Sequence, residues 1–228
     1  MSDYIKFLKS PQNEVILPFI DTLMRSAPDS IFLGTGLLAL LTQSWAYTVL
    51  LITFFEIVGV HFFISSIANY LTGSPPLMGK DECGFMIPSY SQLSLLKHIF
   101  GRSAFPIAPV FFISSVIAYV LGSTMNMTNE INDLSKKNPI LRSRFPISVI
   151  LSILFLTSFV IWRILKSCDN LMGSIGTVLL GFVLGGSLLF LNSYAFGREA
   201  INFTGLPLLQ NSLTNGLPIY VCADASTI

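Results

Sequence analysis

Apolar runs of membrane-spanning length recur along this chain, at Ile31 to Leu71, Ala104 to Gly122, Phe145 to Leu165 and Met172 to Ser193. About 20 mostly apolar residues cross a hydrocarbon core of roughly 30 Å, and soluble domains do not repeat such runs in this way. The chain is therefore expected to live in a bilayer. Helices are the expected element there, because a helix satisfies its own backbone hydrogen bonds where water is absent.

Composition points the same way: 52% of residues are hydrophobic and 11% are charged, with a mean hydropathy of +0.70. Ordinary soluble domains carry about 25% charged residues. Nearly all Lys and Arg fall in the N-terminal segment, the connecting loops or the helix ends, where their cost in lipid is small. A net charge of +1 offers no basic field, so nucleic acid is not an expected partner. Four or five spans with short connections use up 228 residues, leaving no room for a separate soluble domain of ordinary size. Residues 30–193 are read as the membrane domain, 1–29 as an interfacial amphipathic segment and 194–228 as an extramembrane tail. The first 29 residues carry Asp3, Lys6, Lys9, Glu14, Asp21 and Arg25 without a continuous apolar core. A cleavable secretory signal is not expected there.

Within that segment, Val15, Ile16, Phe19, Ile20 and Leu23 share one helical face, with Glu14, Asp21 and Arg25 away from it. Ser10 and Pro11 read as N-cap and first helical residue, and Pro18 should kink or shorten the helix. A break is expected at Ser26 to Ser30. The next apolar run holds 41 residues, a helix of roughly 60 Å if straight, about twice one crossing. Thr42-Gln43-Ser44 is where it should divide. If Ile31 to Leu41 is a half-span the chain crosses four times, the arrangement we favour; if both pieces cross through a tight turn it crosses five times.

Thr72 to Arg102 is loop-like, with Leu93 to Phe100 as a short interfacial helix, and Met125 to Arg144 is the most polar stretch. Arg163 and Lys166 end the third strong span and can reach the headgroups. The short link Ser167 to Leu171 forces the last two spans into an antiparallel hairpin. In the tail, Leu206 to Leu209 and Leu217 to Val221 flank an Asn-Gly turn signal and read as a small β-hairpin outside the membrane.

With four crossings, one side holds Lys6, Lys9, Arg25, Lys136, Lys137, Arg142, Arg144 and Arg198, and the other Lys80, Lys97, Arg102, Arg163 and Lys166. That weakly favours cytoplasmic termini. With five crossings the same rule puts the tail outside. The sequons Asn126-Met127-Thr128 and Asn202-Phe203-Thr204 share one side in both arrangements.

Cys83, Cys168 and Cys222 lack the spacing of a disulfide framework or a zinc site, and idle buried thiols are the default expectation. Cys83 and Cys168 lie on one side of the membrane if two spans separate them, which leaves one disulfide open in an oxidising compartment.

Two features remain as candidate sites. Gly173, Thr177, Gly181 and Gly185 recur every four residues and stack on one helical face, the small-xxx-small pattern through which helices approach closely in lipid. Packing within the monomer is the simpler use, self-association into a homo-oligomer the alternative. Glu56 is the acidic residue deepest in an apolar run, so it marks an intramembrane polar site, paired with Gln43 or with another span. His61 lies about 140° around the helix from Glu56, so the two should not form a dyad. No nucleophile with a base and orienting acid, no paired carboxylates and no His-rich metal spacing are found, and neither enzymatic activity nor a cofactor or metal is expected.

The segments Asn202-Phe203-Thr204-Gly205-Leu206-Pro207-Leu208-Leu209 and Asn215-Gly216-Leu217-Pro218-Ile219-Tyr220-Val221-Cys222, after a Gly-rich last span, resemble small multi-pass membrane proteins of large double-stranded DNA viruses with an internal lipid membrane. That resemblance implies a component of a virion inner membrane whose loops or tail contact capsid proteins, and it assigns no residue a role. From the residues themselves, Leu206, Leu208, Ile219, Tyr220 and Val221 are candidate partner contacts, because a strand-forming tail can add to a partner's sheet. The sequence thus predicts an all-α polytopic bundle with an assembly or anchoring role, against a small transporter or channel component centred on Glu56.

Overall fold

The structure, a computed structural model, describes residues 11–72, 83, 105–135 and 144–203. Its helices are α1 (Pro11–Thr42), α2 (Trp45–Thr72), α3 (Ala108–Asn126), α4 (Thr128–Ser135), α5 (Arg144–Leu165) and α6 (Leu171–Phe196), succeeded by a 3-10 turn, Arg198–Ile201. Four of them, α2, α3, α5 and α6, are long and apolar enough to cross a membrane. No strand occurs among the described residues. The expected tail hairpin, the interfacial helix at 93–100 and Cys222 lie outside those residues.

The long apolar run divides at the polar patch. Thr42 ends α1 by donating its hydroxyl to the Leu38 carbonyl at 2.6 Å, and its Oγ1 accepts the Ser44 amide at 3.3 Å. Gln43 takes a φ of 49° to turn the chain, and the Ser44 carbonyl accepts both the amide and the hydroxyl of Thr48 at 3.1 Å, opening α2. Short polar side chains here supply the partners that helix termini lack.

The break expected at Ser26 to Ser30 is absent. α1 runs unbroken through Pro18 and Pro28. A proline inside a helix forfeits a backbone bond, but Ala27, Pro28 and Asp29 are buried; contact with the bundle outweighs the local preference to stop. In the N-terminal half of α1, the Asp21 carboxylate meets Trp162 Nε1 at 3.0 Å and Lys166 Nζ at 2.6 Å, around the C-terminal end of α5. At its other end Thr42 adjoins Trp45, whose ring lies 5.9 Å from that of Phe196 at the end of α6. α1 therefore runs the height of the bundle, antiparallel to α2.

Two ends are thus defined. The turn end gathers Thr42, Trp45, Asn126 and Phe196; the opposite end gathers Asp21, Ala108, Leu165 and Leu171. α3 is the central helix, with 72% of its apolar stretch buried inside the bundle against 17% for α5. Its Val110, Phe111, Ile113 and Tyr119 are fully buried. Rings tie it to its neighbours: Phe54 of α2 lies 5.2 Å from Phe112, and Phe32 of α1 lies 5.8 Å from Phe54 and 6.2 Å from Phe112, within the range where aromatic pairs attract. Ile150, Leu151 and Leu154 of α5 and Leu179, Val183 and Phe190 of α6 face outward, where lipid is the natural solvent.

Candidate functional site

The small-residue face of α6 is turned inward onto α3. A Cβ on Gly181 would stand 3.0 Å from the Phe111 carbonyl oxygen and collide with the Ser114 hydroxyl; one on Gly185 would collide with the Ser115 carbonyl and lie 2.9 Å from the Ala118 Cβ. Thr177 Oγ1 accepts the Ile107 amide at 3.1 Å, occupying an N–H that the start of α3 leaves free. Gly173 sits under the Asn170 cap, whose Oδ1 accepts its amide at 2.6 Å. All four ladder residues serve α6's start or its contact with α3. Gly186, beside the ladder, has open space where a Cβ would be.

Toward the turn end this seam leads to a polar node. Asn192 of α6 is fully buried, and its Nδ2 donates to Thr53 Oγ1 at 2.8 Å and Glu56 Oε2 at 3.3 Å, both on α2, and to the Tyr119 hydroxyl of α3 at 3.4 Å. Thr53 and Tyr119 are also fully buried; Glu56 is half-buried. One amide thus ties three helices together in a medium where unmet polar groups are costly. Two hydrogens on Nδ2 serve three oxygens, and the amide's own Oδ1 is buried without a partner.

Gln43 is not part of this node. It stands exposed at the α1–α2 turn, because the turn needs its residue to leave the helix, and Glu56 pairs with α6 instead. His61 points elsewhere, its Nε2 2.9 Å from the Pro106 carbonyl. Thr53, Tyr119 and Asn192 were not singled out from sequence. The available signal was that Asn192 is the one amide within α6, and a lone amide in an apolar helix needs a partner on another helix.

Above the node the chain folds back over the turn end. Ala200 and Ile201 are fully buried, the Ser123 hydroxyl donates to the Ile201 carbonyl, and Arg198 donates to the Asn126 carbonyl at 3.0 Å. The Phe203 ring lies 5.8 Å from that of Tyr119, and its carbonyl accepts the Tyr47 hydroxyl at 3.5 Å. The root of the tail packs on the turn end of the bundle through Phe203. The remainder of the tail, including Leu206, Leu208, Ile219, Tyr220 and Val221, lies outside the described residues.

At the opposite end Cys83 and Cys168 form a disulfide with their Cα atoms 5.5 Å apart, so they are not idle thiols. Arg163 does not reach outward. It is buried beneath the bridge, donating to the Asp169 carboxylate and to the Cys83 carbonyl at 2.9 Å, with its guanidinium 5.8 Å from the Phe159 ring. Lys166 meets Asp21 rather than headgroups. Its hydrogen bond holds the Asp21 carboxyl below the ordinary carboxylate value, against the opposing effect of burial, with Trp162 adding to the lowering. Among the described residues no group of three or more His, Cys, Asp or Glu is placed to hold a metal ion.

Fold and polar node together have the character of an integral membrane helical bundle. Comparisons with family models, curated proteins and solved structures each return no match.

Proposed function

We propose that this chain is a non-enzymatic membrane anchor: a five-crossing bundle that holds its C-terminal tail at one membrane face for assembly with other proteins. The observation that carries this reading is the seating of the tail root. A segment whose Ala200 and Ile201 are buried, whose Ile201 carbonyl accepts the Ser123 hydroxyl and whose Arg198 side chain donates to the Asn126 carbonyl cannot swing freely, so force on the tail passes directly into the bundle. α1 is the fifth crossing in this reading, over residues 26–42, because Asp21 lies beside the C-terminal end of α5 while Thr42 adjoins Trp45 at the turn end. The likeness of the tail to virion membrane proteins suggests capsid proteins as partners and a virion inner membrane as the location.

The test places a photo-crosslinker at Ile219 or Tyr220 of the full chain in its native membrane. Crosslinks to a distinct protein at those positions, and none at the lipid-facing Leu151, support anchoring. Crosslinks to lipid alone overturn it. The transporter reading is tested in parallel in liposomes, where ion flux that Glu56→Gln abolishes with insertion intact would replace anchoring by transport.

A further inference from the structure

A guanidinium drawn into a membrane protein needs acceptors or a counter-charge, because a cation away from water is costly on its own. Arg25 of α1 is short of both. Its Nε is closed off from solvent without a hydrogen-bond partner, and no ion pair reaches the group among the described residues. The residue as a whole is only part-buried, so the cation sits at the surface with its inner nitrogen covered. Asp21 and Asp29 stand one turn to either side of it on α1. Asp21, however, is held by Lys166 Nζ at 2.6 Å and Trp162 Nε1 at 3.0 Å, and Asp29 is buried and already engaged. Arg163, buried at the same end, is paired with Asp169.

α1 leaves this end of the bundle as α5 arrives at it. With Asp21 beside Lys166, one helical turn of about 5.4 Å puts Arg25 near the level of Trp162. Phe19, Ile20 and Leu23 of α1 and Ile161 and Leu165 of α5 are exposed around these four residues. Apolar side chains of this kind meet acyl chains, while Trp, Lys and Arg at the end of a span lie at the level of the headgroups. Two cations here face one accessible carboxylate, which leaves positive charge for an anion.

We propose that Arg25 and Lys166 together bind the phosphodiester of an anionic glycerophospholipid at this membrane face. The guanidinium presents its N–H donors in a plane that matches phosphate oxygens. Lys166 brings the second charge, since its ammonium has three donors and gives only one to Asp21. Asp21 and Trp162 are positioning residues: they hold the lysine in place, so that the headgroup meets a fixed pair of cations. The acyl chains run along Ile161 and Leu165, a contact that a free phosphate cannot make. Binding is non-covalent, and no proton or electron moves.

The chain's two tryptophans stand at opposite ends, Trp162 near Arg25 and Trp45 at the turn end, so fluorescence can read the lipid beside each. The full chain carrying Trp45→Phe is reconstituted in equal mixtures of phosphatidylglycerol and phosphatidylcholine, with bromine on the acyl chains of one lipid or the other as quencher. At Trp162 the expected selectivity for phosphatidylglycerol is about tenfold, falling to about one in Arg25→Gln, as loss of a charge-assisted contact requires. Arg25→Lys keeps the charge without the planar donors and should fall between, and it decides the matter should Arg25→Gln fail to insert. The chain carrying Trp162→Phe, read at Trp45, should show no such preference. Equal quenching by both lipids at Trp162, a selectivity unchanged in the Arg25 variants, or the same selectivity at Trp45 would overturn the proposal. So would its abolition by excess inorganic phosphate, which would make the ligand a free anion. The tail plays no part in this measurement, so a negative result leaves the anchoring reading standing.

Discussion

At Gly185 the missing Cβ is what lets α6 reach α3, since any side chain would strike the Ser115 carbonyl and the Ala118 Cβ. Backbone cannot yield as a flexible side-chain tip can. Gly185→Leu is therefore expected to lower stability by at least the about 1–3 kcal/mol typical of overpacking, read as a fall in the unfolding midpoint in bicelles. Gly186→Ala, one position along and facing open space, should leave that midpoint unchanged or raise it slightly through better helix propensity. The four-residue spacing made the ladder legible, because periodicity is written in sequence. The partners of Glu56 were not legible. Thr53, Tyr119 and Asn192 come from two other parts of the chain and one turn of α2, and only helix packing brings them to one point.

Among the elements, α1 departs furthest from its sequence reading. Pro28 and the charges around it suggested a break and an interfacial helix, yet Asp21 reaches Lys166 and Trp162 at the far end of the bundle. Local breaking signals were outweighed by burial of Ala27, Pro28 and Asp29, information that lies in other helices. Because Lys166 lowers the Asp21 carboxyl in the folded state, this contact stabilises fully above the unfolded value of 3.8 and is lost as pH falls through the lower folded value. Asp21→Asn should flatten the acid limb of a stability-versus-pH curve below about pH 4, and Lys166→Met should do the same. The disulfide gives a second test at this level. Reduction should lower the unfolding midpoint of wild type, by at most the about 2–4 kcal/mol usual for a bridge, and leave Cys168→Ser unmoved. An equal effect of reductant on both proteins would mean that the bridge does not tie Cys83 to the α5–α6 hairpin.

For the whole molecule, the apolar runs sufficed to place four spans, and the turn at Gln43 was visible as a polar patch, but the number of crossings was not. The positive-inside count changes sign with the fate of α1, so composition alone could not choose an orientation. The five-crossing proposal rests on the course of α1 beside α2. With α1 running the height of the bundle, its N-terminal end shares a face with the Cys83–Cys168 bridge, and the tail root shares the opposite face with α4. In that five-crossing reading the bridge favours an oxidising compartment on its own face, whereas the positive-inside count places the same face in the cytoplasm, so the two signals oppose each other. The most direct measurement is labelling of single cysteines introduced at residues 12, 138 and 210 of a Cys222→Ser background by a membrane-impermeant thiol reagent, in sealed vesicles of known sidedness. The account predicts that residue 12 labels from the face opposite to that of residues 138 and 210. Labelling of all three from one face would contradict it.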